Sequence, residues 1–215
     1  MLKQVFHSLP ISAQNTFRDI FGKKVRRSVV AKWNKNNNPV PAPHYVKQDI
    51  LDQYGKKHSC TTFVESGTYL GDMIEAQRND FKKLYSIELD HSLHMKAVAR
   101  FKPFKHITIL KGDSGDVLFD LLPALTEKSL FWLDGHYSGG ITATADLECP
   151  IYKELDAIFN NNSHRHVILI DDARCFNGTH DYPTMQEMHS YLASKDSTYS
   201  LTVDADIIRI EPNRY

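Results

Sequence analysis

A chain of 215 residues, 41% hydrophobic and 24% charged, can bury one α/β core with a small appendage. No apolar run approaches the roughly 20 residues needed to span a bilayer, and the opening MLKQVFHSLPISAQ lacks the compact apolar centre of a secretory signal, so a soluble, cytoplasmic protein is expected. Three cysteines, Cys60, Cys149 and Cys175, form no CxxC pair and leave an odd thiol, which fits reduced thiols in a cytosolic protein better than a disulfide framework.

The formal net charge of zero conceals an asymmetry. Residues 1–48 hold nine Lys or Arg against one acid, Asp19, so the body carries the compensating acidic excess. Lys23, Lys24, Arg26, Arg27, Lys32 and Lys35 sit among Val25, Val29, Val30 and Trp33. Such a segment can face an anionic acceptor, a membrane surface or RNA. Its apolar spacing is irregular, so a solvated basic face that docks on the acidic body is the favoured reading. The run Asn36-Asn37-Asn38-Pro39-Val40-Pro41-Ala42-Pro43 then breaks any helix by its missing amides and fixed φ. Residues 1–43 are thus expected to form a basic helical extension and linker, and residues 44–215 the working domain.

From residue 44 to 58 the spacing of Val46, Ile50, Leu51 and Tyr54 predicts a helix with one buried face, covering an edge of the sheet that follows. Short apolar runs come next: TTFVE (61–65), LYSIEL (84–89), HITIL (106–110), SLFWLD (129–134) and HVILID (166–171). The intervals between them are long enough for helices. Strands apolar almost throughout are buried on both faces, as in a parallel sheet flanked by helices. YSLTV (199–203) and DIIRI (206–210), joined by Asp204-Ala205 alone, must pair as an antiparallel hairpin. The expected fold is α/β, a doubly wound Rossmann-like sheet of seven strands: five parallel plus a C-terminal antiparallel hairpin, with an N-terminal helical extension.

In open α/β sheets ligands sit beyond the carboxyl ends of the strands, so the residues after each strand carry the chemistry. The first is followed by Glu65-Ser66-Gly67-Thr68-Tyr69-Leu70-Gly71, whose glycines allow close backbone approach to a ligand. The G-x-G-x-x-G spacing of dinucleotide folds is absent. Glu88, with Leu89, ends the second strand about 20 residues on, where an acid suits the two hydroxyls of a ribose. Asp113-Ser114 follow the third, placed either to cap a helix or to bind an adenine amino group. Asp134-Gly135-His136-Tyr137 follow the fourth and Asp171-Asp172-Ala173-Arg174 the fifth. Three carboxylates at one rim are explained by a divalent cation such as Mg²⁺, or by helix capping with a pair to Arg174 or a Lys. His136 titrates near neutrality and ranks first as general base, then as metal ligand. Tyr137, Arg174 and His180 are candidate acceptor-pocket residues, with a polar loop as the default for His180.

The ordered motifs from about residue 60 to 211 resemble those of class I S-adenosylmethionine-dependent methyltransferases. The likeness is closest to metal-dependent small-molecule O-methyltransferases of the catechol type and of the sugar type acting on macrolide and aminocoumarin antibiotics. The resemblance implies that Glu65, Gly67, Tyr69 and Gly71 wrap the methionine part of the cofactor, with Ser66 and Thr68 in the same turn. Glu88 would hold the ribose, and Gly112, Ser114 and Asp116 would border the adenine. Asp134, Asp171 and Asp172 would hold Mg²⁺ or Mn²⁺. The sugar enzymes carry D-G-D where this chain has Asp134-Gly135-His136, which exchanges carboxylate for imidazole at the base position.

The expected activity is Mg²⁺-assisted methyl transfer from S-adenosylmethionine to a hydroxyl of a small molecule or saccharide. Three rivals stand beside it. One is a metal-independent methyltransferase whose acids order loops; another is a non-catalytic cofactor-binding or RNA-binding module using the basic arm. The third, a nucleotide-dependent oxidoreductase, is disfavoured by the glycine spacing. Nucleic acid is not the expected partner, and a homo-oligomer is an open expectation.

Overall fold

The computed structural model describes residues 11–135 and 149–213, with side chains from residue 22 onward. The chain divides into two units, Met1–Lys47 and Gln48–Tyr215. In the first, helix α1 (Ile11–Lys35) exposes Lys23, Lys24, Arg27, Lys32 and Lys35. It ends where Asn37 and Asn38 adopt positive φ, a conformation asparagine tolerates better than most residues. The Trp33 indole N–H donates to the Pro39 carbonyl at 2.7 Å and fastens the turn. Helix α2 (His44–Lys57) buries Val46, Ile50, Leu51 and Tyr54, the face that the spacing predicts. The Tyr54 hydroxyl donates to Glu211 at 3.2 Å.

The second unit carries β1 (Thr62–Ser66), α3 (Asp72–Gln77), β2 (Lys83–Glu88), α4 (His91–Phe101), β3 (Ile107–Lys111) and α5 (Ser114–Leu121). These are followed by β4 (Ser129–Leu133), α6 (Ile151–Asn160), β5 (Val167–Ile170), α7 (Met185–Lys195), β6 (Tyr199–Asp204) and β7 (Ile207–Pro212). The sheet has seven strands in the order β3-β2-β1-β4-β5-β7-β6. The first five are parallel, and β7 runs antiparallel to both β5 and β6. Glu211 lies in β7, so α2 is tied to the strand next to the edge rather than to the edge itself.

Every residue of β1, β4 and β5 is buried, whereas β6 alternates before opening to solvent. That is the difference between central strands covered on both faces and an edge strand. Phe63, Leu84, Leu130, Phe131, Leu133 and Ile170 are at most 1% exposed, each contributing about 1.5–3 kcal/mol by leaving water. The hairpin differs from the sequence expectation by one residue. Asp204 pairs with Ile207, so the turn is Ala205-Asp206 and not Asp204-Ala205. Both turn residues have positive φ, 54° and 64°, as a two-residue hairpin of this twist demands; Asp206 is thereby removed from the strand. Among the described residues no helix is long and apolar enough to cross a membrane.

Candidate functional site

Strand order reverses between β1 and β4, which opens a crevice at their carboxyl ends. Ser66 and Leu133 are paired across that boundary, so the segments after them leave side by side. Gly67 turns away with φ +84°, and a Cβ built on it would lie 2.3 Å from the Asp134 carbonyl oxygen. Only glycine fits there. The Gly67 and Thr68 amides donate to the Ile87 carbonyl at 3.0 and 3.2 Å, and Gly71 N donates to Thr68 O at 2.8 Å. The turn is closed by its own backbone before any ligand arrives.

Beneath it runs a chain of buried hydroxyls. Glu65 is 2% exposed and accepts from the Ser86 hydroxyl at 2.5 Å; Ser86 Oγ lies 2.6 Å from Thr68 Oγ1. Burial raises the Glu65 pKa well above the ordinary carboxylate range; the Ser86 hydrogen bond opposes this, and the charges of Asp134, Glu88 and Asp72 reinforce it. Four acids thus share one basin around the glycine turn. Ser86 was not anticipated from the sequence. Its signal is a polar residue inside the otherwise apolar strand LYSIEL.

At the tip of β2, Glu88 Oε2 accepts from Tyr69 N and Oε1 from Asp90 N, both at 2.8 Å. Each oxygen retains a second lone pair for a ligand hydroxyl. Leu89 is half-buried, and its carbonyl accepts from Lys111 Nζ at 2.5 Å. Tyr69 has φ 48° and an exposed ring. Asp113 caps α5 by accepting from Gly115 N at 2.8 Å, one of the two roles open to it in the sequence. Ser114 is buried beneath Gly135.

The rim of β4 and β5 is tied together by backbone and guanidinium contacts. Asp171 is 2% exposed, and its Oδ1 accepts from Asp172 N at 2.8 Å. Asp172 Oδ1 accepts from Arg174 Nη1 at 2.8 Å. Arg174 also pairs with the Asp206 carboxylate, whose Oδ1 accepts from Arg174 N at 2.9 Å. Among the described residues no group of three or more His, Cys, Asp or Glu side chains is placed to hold a metal ion. The Arg174 guanidinium thus competes for Asp172 with any divalent cation, and no step is routed through one. Asp206, another residue the sequence reading missed, anchors Arg174 from the hairpin turn. His180 is exposed, with Nδ1 3.2 Å from Thr179 Oγ1, away from the glycine turn in its contacts. His136 and Tyr137 lie outside the described residues.

No protein-family model matches the chain, and no curated protein matches it by sequence. Solved structures do match by fold. An O-methyltransferase from Bacillus cereus in complex with SAH superposes with a TM-score of 0.58 at 13% identity, covering 88% of this chain and 91% of that one. The O-methyltransferase TomG from Streptomyces achromogenes, involved in tomaymycin synthesis and in complex with SAM, gives 0.56 at 14% identity over 88% and 89%. The SAH-bound methyltransferase PaMTH1 of Podospora anserina gives 0.57 at 13% identity over 96% and 98%. With its sheet order, its hairpin and its glycine turn at the β1/β4 crevice, the chain has the Rossmann-like fold of the class I S-adenosylmethionine-dependent methyltransferases.

Proposed function

We propose that this chain is an S-adenosylmethionine-dependent O-methyltransferase acting on a small molecule or saccharide. The observation that carries this reading is the acidic basin: buried Glu65, with Glu88, Asp134 and Asp72 acting on it, lies under a turn that approaches the crevice without a Cβ. Such a basin favours a ligand bearing positive charge and disfavours the pyrophosphate of a dinucleotide. When bound, the cofactor supplies an electrophilic methyl group on a sulfonium. Glu65 would receive the cofactor's ammonium group and Glu88 the ribose hydroxyls, with Gly67, Thr68 and Asp134 enclosing the ligand between β1 and β4. Holding donor and acceptor in line is the protein's main contribution. His136 is the proposed acceptor of the hydroxyl proton, and Tyr137, Arg174 and His180 are the proposed acceptor-side residues.

Magnesium or manganese assistance is the reading that the Asp172–Arg174 pair argues against. Transfer of a labelled methyl group to a panel of hydroxylated acceptors tests both points. Turnover is expected, and it is expected to survive excess chelator. Loss of activity on chelation, restored by Mg²⁺ or Mn²⁺, would return the metal to the mechanism; no transfer and no cofactor binding would remove the function.

The buried Glu65 also predicts proton-linked binding. Its raised pKa means that the unliganded carboxyl holds its proton above the ordinary carboxylate range, while an ammonium ligand needs the carboxylate. Binding must therefore release a proton, and affinity rises with pH until the raised pKa is passed. Calorimetric titrations in buffers of different ionisation enthalpy measure that release; equal heats in all buffers would show that Glu65 is already ionised.

A further inference from the structure

Helix α6 begins Ile151-Tyr152-Lys153-Glu154 and turns its fourth residue inward. The Glu154 side chain is 0% exposed, on a helix otherwise buried through Ile151, Leu155, Ala157 and Ile158. Both its carboxyl oxygens and the Ser66 hydroxyl are buried with no hydrogen-bond partner among the described residues. Ser66 and Ser114 nevertheless lie close enough to favour the charged form of the carboxyl. The same two hydroxyls stand 3.1 and 3.3 Å from where a Cβ on Gly135 would be. One polar pocket therefore joins α6, the end of β1, the first turn of α5 and the backbone that follows Asp134.

We propose that Glu154 is a positioning residue for the cofactor crevice, ordering the Asp134-Gly135 backbone and the β1 turn through the Ser66 and Ser114 hydroxyls. This rests on the function proposed above. An unsatisfied buried acid is costly, and a neutral carboxyl answers it: its O–H can donate to one serine oxygen while its carbonyl accepts from the other hydroxyl. Burial raises the Glu154 pKa; the two serines oppose that, and Asp113, at the N-cap of α5, adds to it. Asp113 is the one charged group acting on Glu154 from a neighbouring element among the described residues. Lys153, on the same helix, lies 3.9 Å from Asp113 and 2.7 Å from Asp116.

The test uses the full chain and S-adenosylmethionine, with affinity measured from about pH 5 to about pH 9, a range that spans a raised carboxyl titration. Glu154→Gln keeps a neutral donor and acceptor at every pH and is expected to bind as wild type does where the carboxyl is neutral. The ratio of wild-type to Gln affinity is expected to fall as pH rises, a comparison in which the Glu65 titration cancels. Glu154→Leu is expected to weaken binding about tenfold, the worth of one lost buried hydrogen bond. A ratio that stays flat over the range overturns the proposal whatever the Leu variant does, including failing to fold; so does a folded Leu variant that binds like wild type. Wild-type protein that binds no cofactor defeats the proposed function itself, and this inference with it.

Discussion

Gly67→Ala is expected to lower the affinity for S-adenosylmethionine at least about 100-fold, through two costs that add. A left-handed backbone at φ +84° costs an alanine about 1–2 kcal/mol. The new methyl would also sit 2.3 Å from the Asp134 carbonyl oxygen. That oxygen is backbone and cannot swing aside, since Asp134 N is itself bonded to Ser66 O at 3.2 Å; overpacking of this kind costs about 1–3 kcal/mol more. Relief requires β1 and β4 to part at the crevice, which is where the ligand is proposed to lie. Gly22→Ala is the contrast, because among the described residues nothing beyond its own turn of helix lies within 4 Å of its Cβ position. It should leave binding intact and favour the helix by about 0.5–1 kcal/mol. Calorimetry with thermal unfolding separates the two effects; a Gly67→Ala protein that binds normally would mean that the turn does not face the ligand.

Glu88→Ala is expected to weaken the same affinity by about 100-fold or more. The carboxylate accepts from the Tyr69 and Asp90 amides at 2.8 Å each, and a hydrogen bond to a charged acceptor is worth about 1.5–3 kcal/mol. Its loss frees the Tyr69 backbone, already at positive φ, and removes the proposed ribose acceptor together with the support of the turn. Asp90→Ala provides the comparison. Asp90 caps α4 by accepting from Leu93 N at 2.8 Å, so its removal should cost about 1 kcal/mol of stability with little change in affinity. If both variants lose stability equally and neither loses affinity, Glu88 is a structural acid only.

Most of the sheet was legible because the strands announce themselves. Runs such as SLFWL and HVILI have no polar face, and only a doubly covered parallel sheet accommodates them. The hairpin was legible from its short connection, but its turn residues were not. Asp204-Ala205 and Ala205-Asp206 look alike in sequence, and the tie of Asp206 to Arg174 across the chain decides between them. The same tie bears on the rim acids: the sequence brings Asp134, Asp171 and Asp172 to one rim but does not record that Arg174, held by Asp206, also pairs with Asp172.

By itself, then, the sequence determined the layers, the order of the motifs and the glycine turn, since hydrophobic period and backbone permissiveness are local properties. Tertiary structure alone decided why Gly67 must be glycine, because the Asp134 carbonyl belongs to the segment that follows β4. It alone placed Ser86 beside Thr68 and Glu65, and the Ser66 and Ser114 hydroxyls beside both Gly135 and Glu154. Each of these is a contact between segments distant in the chain, where burial and partner geometry, not residue type, set whether a polar group is paired, neutral or charged.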